Sequence, residues 1–227
     1  MGIRVITGEI SAKDATTRAV LPTAAVPKCP PFERVAETIA TPRRRFPPHR
    51  HEGVEVLTYV IEGSGTHEFG ADPPFQVESG ATSLLTAATS VAHSMNPGAG
   101  QTLRWFAVMT ALPAGAGVSN RIQSGRAVPS AVQPDGTVVR SLVGPEAPMT
   151  SAMGLACEAI EFRAAGVAFR RVGHDRIAIC YAVTGSGQVD GSPLDAGEAA
   201  LAEDASGIGI KGRPGLLVML ASVPRVA

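Results

Sequence analysis

Aromatic side chains are scarce in this 227-residue chain: seven Phe, two Tyr and one Trp make up 4% of it. It also lacks an excess of charge, with 20 Lys and Arg against 20 Asp and Glu. A balanced chain has no global pull toward nucleic acid or an anionic membrane. Its one basic run, Arg43-Arg44-Arg45, is short and reads as a solvated loop. Cysteine is limited to Cys29, Cys157 and Cys180. An odd, widely spaced set without a CxxC pair argues against a disulfide framework and for a reducing compartment. No apolar run approaches the ~20 residues of a spanning helix. The N-terminus, MGIRVITGEISAKD, shows no apolar core behind a basic start, so no signal peptide is expected. Long amphipathic helical patterns are scarce too; residues 147–156 (APMTSAMGLA) could hold one or two helical turns. The expectation is a globular, cytoplasmic protein with no membrane span and no direct nucleic-acid binding.

What is abundant is Gly (25) and Pro (18), spread between short runs of Val, Ile, Leu and Thr. That pattern predicts many short strands joined by turns. Two segments are alike: residues 55–69 read EVLTYVIEGSGTHEF and residues 176–190 read RIAICYAVTGSGQVD. Tyr59 aligns with Tyr181, Gly63 with Gly185, Ser64 with Ser186 and Gly65 with Gly187. In each, an apolar strand enters a Gly-Ser-Gly turn, which predicts a hairpin with Gly at positive φ. A Gly-led strand follows in both, at Gly80 and at Gly197, and each half ends on an apolar run, LRWFAVM and GLLVMLA. The repeat predicts a duplicated β-barrel or sandwich, with the break in the Pro- and Gly-rich residues 112–117.

Four of the five His lie between His49 and His93. His49 and His51 are two apart, so on a strand both imidazoles face the same side and can converge on one ion. Glu55 shares that parity if the strand runs on unbroken. His93 comes later, on an expected strand closing the first barrel. Imidazoles with a carboxylate suit Fe(II), Mn, Ni, Cu or Zn. A lone HxH is more often a surface or core pair than a ligand pair; the Pro-Pro lead-in, Glu55 and His93 shift that balance toward a metal. His67, after the Gly-Ser-Gly turn, either lines a pocket or faces solvent. Tyr59 reads as packing or pocket lining, Glu62 as a turn residue and His174 as a loop residue.

Residues 45–63, RFPPHRHEGVEVLTYVIEG, resemble the first motif of the pirin-like family of the cupin superfamily. There Phe-Pro-Pro-His-x-His leads into Glu-x-Val-x-Tyr-Val-x-Glu-Gly. Pro31-Phe32 sits where that family has a Pro-Phe, and residues 86–95, TAATSVAHSM, resemble its second motif, a turn entering a His. The resemblance covers about residues 31–113; beyond that it is one of architecture. It implies an all-β bicupin with few short helices: an N-terminal barrel, residues 1–113, carrying a metal site, and a C-terminal barrel, residues 114–227, without metal ligands. The family's ion, often iron, is held by the HxH pair, the later His and a Glu two residues after it. The first three carry over to His49, His51 and His93, while the fourth position holds Met95, a poor ligand for a hard ion. Glu55 could replace the carboxylate, water could fill the position, or the metal could be lost.

The activity the resemblance implies is a quercetin-type dioxygenase acting with O₂ on an aromatic enol or catechol, with Fe(II) or another divalent ion and Glu55 as ligand or base. Alternatives are a non-catalytic, metal-dependent regulator that meets a protein partner, and a metal-free cupin that binds a small ligand. Two tandem barrels already cover faces that single cupins cover by dimerising, so a monomer is expected.

Overall fold

The computed structural model describes residues 2–11, 15–113, 115–127, 130 and 132–225. Met1, Ala114 and Ala227, which bound the two expected domains, lie outside the described residues. The strands run β1 (Gly2–Thr7), β2 (Glu9–Ser11), β3 (Thr16–Leu21), β4 (Phe32–Ala40), β5 (Phe46–His51), β6 (Val54–Phe69), β7 (Phe75–Glu78), β8 (Ala81–Ala87), β9 (Val91–Pro97) and β10 (Leu103–Ala111). They continue as β11 (Arg121–Arg126), β12 (Thr137–Val143), β13 (Ala156–Phe162), β14 (Gly166–Arg171), β15 (Arg176–Thr184), β16 (Ser186–Val189), β17 (Ser192–Asp195), β18 (Glu198–Glu203), β19 (Gly207–Gly212) and β20 (Leu217–Pro224).

Among the described residues there is no helix, so the helical turns expected at 147–156 do not form. Pro148 has no N–H to give a helix, Gly154 takes φ +66°, and Met149 is buried from an irregular segment. The fold is all-β throughout, as expected.

Contacts divide the chain into two units. The first holds the described residues of 9–22 and 28–126; the second holds those of 1–8, 23–27 and 127–227. Thus β1 pairs with β18 in the second unit, while β11, beyond the Pro- and Gly-rich 112–117, pairs with β8 in the first.

The two units repeat one ladder. In the first, β6 pairs with β8 and β10, β10 with β4, and β4 with β3; in the second, β15 pairs with β18 and β20, β20 with β13, and β13 with β12. The smaller sheets match too: β5–β9–β6–β7 against β14–β19–β16–β17. Inside the second unit, alternate residues of the strands meet in one apolar core that includes Phe162, Ala168, Cys180, Ile208, Ile210 and Leu220. Among the described residues, smaller apolar clusters of the first unit gather around Met95, Leu103 and Trp105 and around Val56, Phe69 and Leu85.

The Gly-Ser-Gly segments do not reverse the chain as the expected hairpins would. At Gly63, with φ +87°, β6 continues but changes sheets: residues up to 63 pair with β10, and residues 64–69 pair with β7 and β9. The glycines are needed because another strand crosses close by. A Cβ on Gly65 would lie 2.1 Å from the Asn96 carbonyl oxygen, and one on Gly63 would lie 1.9 Å from that of Thr102. Gly187 meets the same crowding, with the Lys211 carbonyl oxygen 2.5 Å from its would-be Cβ.

Gly65→Ala is therefore expected to destabilise the protein by about 1–3 kcal/mol, the usual cost of overpacking. Gly125→Ala, where a Cβ meets nothing within 4 Å, is expected to be near neutral. Urea unfolding of both variants checks the contrast.

Candidate metal centre

The site is built on β5 and β9, the edge of the first unit's smaller sheet. On β5, His49 and His51 share one face, and Arg50 points away to donate to Ser90 Oγ at 3.1 Å. The antiparallel register sets His49 directly opposite His93 on β9. Facing residues bring their side chains together, and the result is a triad of imidazoles. His93 Nε2 lies 2.9 Å from both His49 Nε2 and His51 Nε2, and the three ligand atoms all fall within 4.8 Å of one another.

Three neutral Nε2 lone pairs cannot sit this close without a proton or a cation between them. Two nitrogens bound to one ion at about 2.1 Å and at right angles stand about 3.0 Å apart, so the two 2.9 Å pairs have the spacing of ligands to a shared ion. The outer ring nitrogens fit it as well. His49 Nδ1 lies 3.0 Å from the Pro47 carbonyl oxygen, which can only accept, so that nitrogen carries the proton and Nε2 is left bare. His93 Nδ1 lies 3.0 Å from His67 Nε2, and His67 Nδ1 is 3.3 Å from Ser83 Oγ. Such outer partners fix the tautomer and orientation of ligating imidazoles.

Four of the ten aromatic residues gather here. Phe46 packs edge-on against His49, centroids 4.7 Å apart, and against Trp105 at 5.4 Å. Phe69 stacks on His93 at 5.6 Å and lies 4.1 Å from His67, with Phe75 behind it. Burial holds His51, His67 and His93 neutral. It lowers His51 to about 4, helped by His49, and His67 to about 3, again helped by His49. His93 falls to about 2, through burial and then the three neighbouring imidazoles.

Glu55 is not brought into the triad. The strand breaks at Glu52 and Gly53, where Gly53 takes φ +68°, so the parity that would align Glu55 with His51 is lost. Glu55 is fully buried instead, and its Oε1 accepts from Thr86 Oγ1 at 2.9 Å. Met95 lies two residues past His93 on the same face of β9, 2% exposed, in the apolar cluster with Val60, Leu103 and Trp105. His67, 1% exposed, lines a cavity of about 210 Å³ with Met95, Ser83, Thr58 and Phe75. Tyr59 lies on the opposite face of β6 from Thr58 and does not line it. His174 sits in the loop after β14, with Nδ1 3.3 Å from the Asp204 carbonyl oxygen. Sequence reasoning missed Ser83 and the His67–His93 bond, for which pairing between β6 and β9 was the needed information.

A duplicated all-β ladder with an imidazole triad in one unit is the frame of a two-barrel cupin. The Pirin family model matches residues 7–108, and over those residues the chain is similar to that family. Quercetin 2,3-dioxygenase of Escherichia coli is 30% identical over 82 residues, 36% of this chain and 35% of that protein. Pirin-like protein 2 of Arabidopsis thaliana is 34% identical over 67 residues, 30% of this chain and 21% of that one. The chain thus matches only about a fifth to a third of the length of these curated relatives. Over its whole fold it is similar to a crystal structure from Geobacillus kaustophilus, with TM-score 0.85, 21% identity, and 97% of this chain and 94% of that one covered. The bacterial pirin YhhW of Escherichia coli in complex with nickel(II) gives TM-score 0.81 at 18% identity, covering 99% and 100%.

Because His67 and His93 stay neutral when folded but charge near 6.5 when unfolded, the unfolded state binds more protons below that pH. Chelator-treated protein should therefore lose stability as pH falls from 6.5 toward 5, by up to about 1.4 kcal/mol per pH unit for each such His. Urea unfolding at pH 7.5, 6.0 and 5.0 measures the slope; a flat profile would contradict the buried neutral imidazoles.

Proposed function

We propose that the first unit binds one divalent metal ion through His49, His51 and His93, and that the protein is an oxygenase of quercetin 2,3-dioxygenase type acting on a small aromatic enol or catechol. The observation that carries this reading is the meeting of three Nε2 atoms, two of the pairs at 2.9 Å, with His49 and His93 backed by outer partners. The relative named as a quercetin 2,3-dioxygenase supports the reaction class. The family resemblance favours Fe(II), and three imidazoles also suit Mn, Ni, Cu and Zn. Bound there, the ion supplies a Lewis acid that favours ionisation of an enolic hydroxyl and couples an electron-rich ring to O₂.

The chain's own residues do the rest. His49 and His51 are half-buried, which leaves the triad open to an incoming ring, while Phe46 and Phe69 keep its flanks apolar. Glu55 is neither ligand nor base in this reading, since it is turned to Thr86 outside the triad. Cys157 and Cys180 are free and buried, which agrees with a reducing compartment such as the cytoplasm. A monomer with no nucleic-acid partner completes the proposal.

Elemental analysis of untagged protein, supplemented with each metal in turn, tests it first. Near-stoichiometric metal is expected, with loss in His49→Ala beyond the ~10–100-fold that removal of an outer partner costs. Metal-loaded protein in air should then bleach the visible absorbance of a flavonol, and His49→Ala should not. Absence of metal under every supplement would end the reading; metal without bleaching would leave the non-catalytic regulator.

Met95 favours the second reading, a metal-free cupin for a small ligand, because a thioether stands on the ligand face beside His93. Met95→Glu separates the two. At a position 2% exposed, a carboxylate should destabilise the chelated protein by about 3 kcal/mol. Metal should restore that stability and bind about tenfold more tightly than to wild type. No gain on adding metal would place Met95 outside the reach of any ion.

A further inference from the structure

His93 uses both of its ring nitrogens. Its Nε2 faces His49 and His51, and its Nδ1 lies 3.0 Å from His67 Nε2. His67 Nδ1 in turn lies 3.3 Å from Ser83 Oγ. The links are shielded from water, with His67 1%, Ser83 4% and His93 8% exposed. Phe69 packs against both rings, at 4.1 Å from His67 and 5.6 Å from His93, and so holds their planes. His67 and Ser83 both border the cavity of about 210 Å³.

A neutral imidazole has one N–H and one lone pair. The chain from Ser83 through His67 to His93 therefore has two self-consistent hydrogen orders. In one, Ser83 Oγ–H donates to His67 Nδ1, His67 Nε2–H donates to His93 Nδ1, and the His93 proton sits on Nε2, inside the triad. In the other, His93 Nδ1–H donates to His67 Nε2, and His67 Nδ1–H donates to Ser83 Oγ. Only the second leaves His93 Nε2 bare for a cation.

We propose that His67 and Ser83 form a tautomer-setting relay. His67 is the positioning residue that holds His93 in its ligating tautomer. Loading the triad reverses the chain and turns the Ser83 hydroxyl proton away from His67, at the cavity wall. The relay rests on the metal centre proposed above and extends it to residues that touch no ion.

Zinc, a diamagnetic probe, tests it by competition with a chromophoric chelator and by long-range ¹H–¹⁵N correlation spectra of the histidine rings. His67→Phe keeps a ring but has no acceptor for His93 Nδ1–H, so zinc should bind about 10–100-fold more weakly. His67→Gln offers an amide oxygen in its place and should recover most of that loss. Wild-type spectra should show the His67 proton on Nδ1 with zinc and on Nε2 after chelation. Binding to His67→Phe within twofold of wild type would overturn the relay, as would equal losses in Phe and Gln variants, or one unchanged His67 tautomer in both states. The spectra use wild-type protein, so they decide the matter even if His67→Phe fails to fold. Should wild type bind no zinc, the metal centre itself falls; should it bind while His67→Phe binds equally, only the relay falls.

Discussion

The pairing of β5 with β9 is the constraint on which the site depends. It places His49 opposite His93, and the two-residue strand period then delivers His51 to the same face. The other edge of β9 is held by β6, where Phe69 faces His93 and His67 faces Met95. With both edges bonded, β9 cannot slip. A shift of one residue would turn His93 outward and present Ala92 or Ser94 to the triad. The backbone ladder thus does for the imidazoles what a rigid ligand frame does for a metal: it fixes them before any ion arrives.

The second unit shows what the same frame becomes with other residues. There β14 and β19 pair as β5 and β9 do, with Phe169 opposite Gly209 and Arg171 opposite Gly207. The inward positions of β19 are Ile208 and Ile210, fully buried, and Ala168 of β14 joins them in the core. The interior is filled with aliphatic side chains, and burial of apolar surface holds the unit together. In the first unit the matching space is given to imidazoles, with apolar clusters around Met95 and around Phe69 beside them. One duplicated ladder supports a packed core in one copy and a polar site in the other.

Much of this could be read from the sequence, for identifiable reasons. The repeated Gly-Ser-Gly segments announced the duplication because a crossing strand leaves no room for Cβ at Gly65 or Gly187. The HxH spacing announced a shared face because strand parity is local. Where the reading depended on continuity it failed: Gly53 interrupts the strand, and Glu55 goes to Thr86. The Gly-Ser-Gly segment reads as a hairpin because sequence shows that a glycine is required, but not whether the cause is a reversal or a close crossing. Ser83 carried no local signal at all. Its role comes from packing β8 beside β6, a pairing set by contacts distant along the chain.

Met95 gives the site its particular electrostatic character. With a carboxylate at that position, a divalent ion on three imidazoles would keep a net charge near +1; with a thioether it would keep its full charge, since neutral imidazoles cancel none. Val60, Leu103 and Trp105 pack around Met95 and bring no charge to that side of the site. In so apolar a setting an uncancelled charge is costly, and an anion supplied by the ligand relieves that cost. A deprotonated enol or catechol is such an anion, and a neutral aromatic is not. Were the triad to hold a divalent ion, Met95 in place of a carboxylate would make its occupancy depend on an anionic ligand.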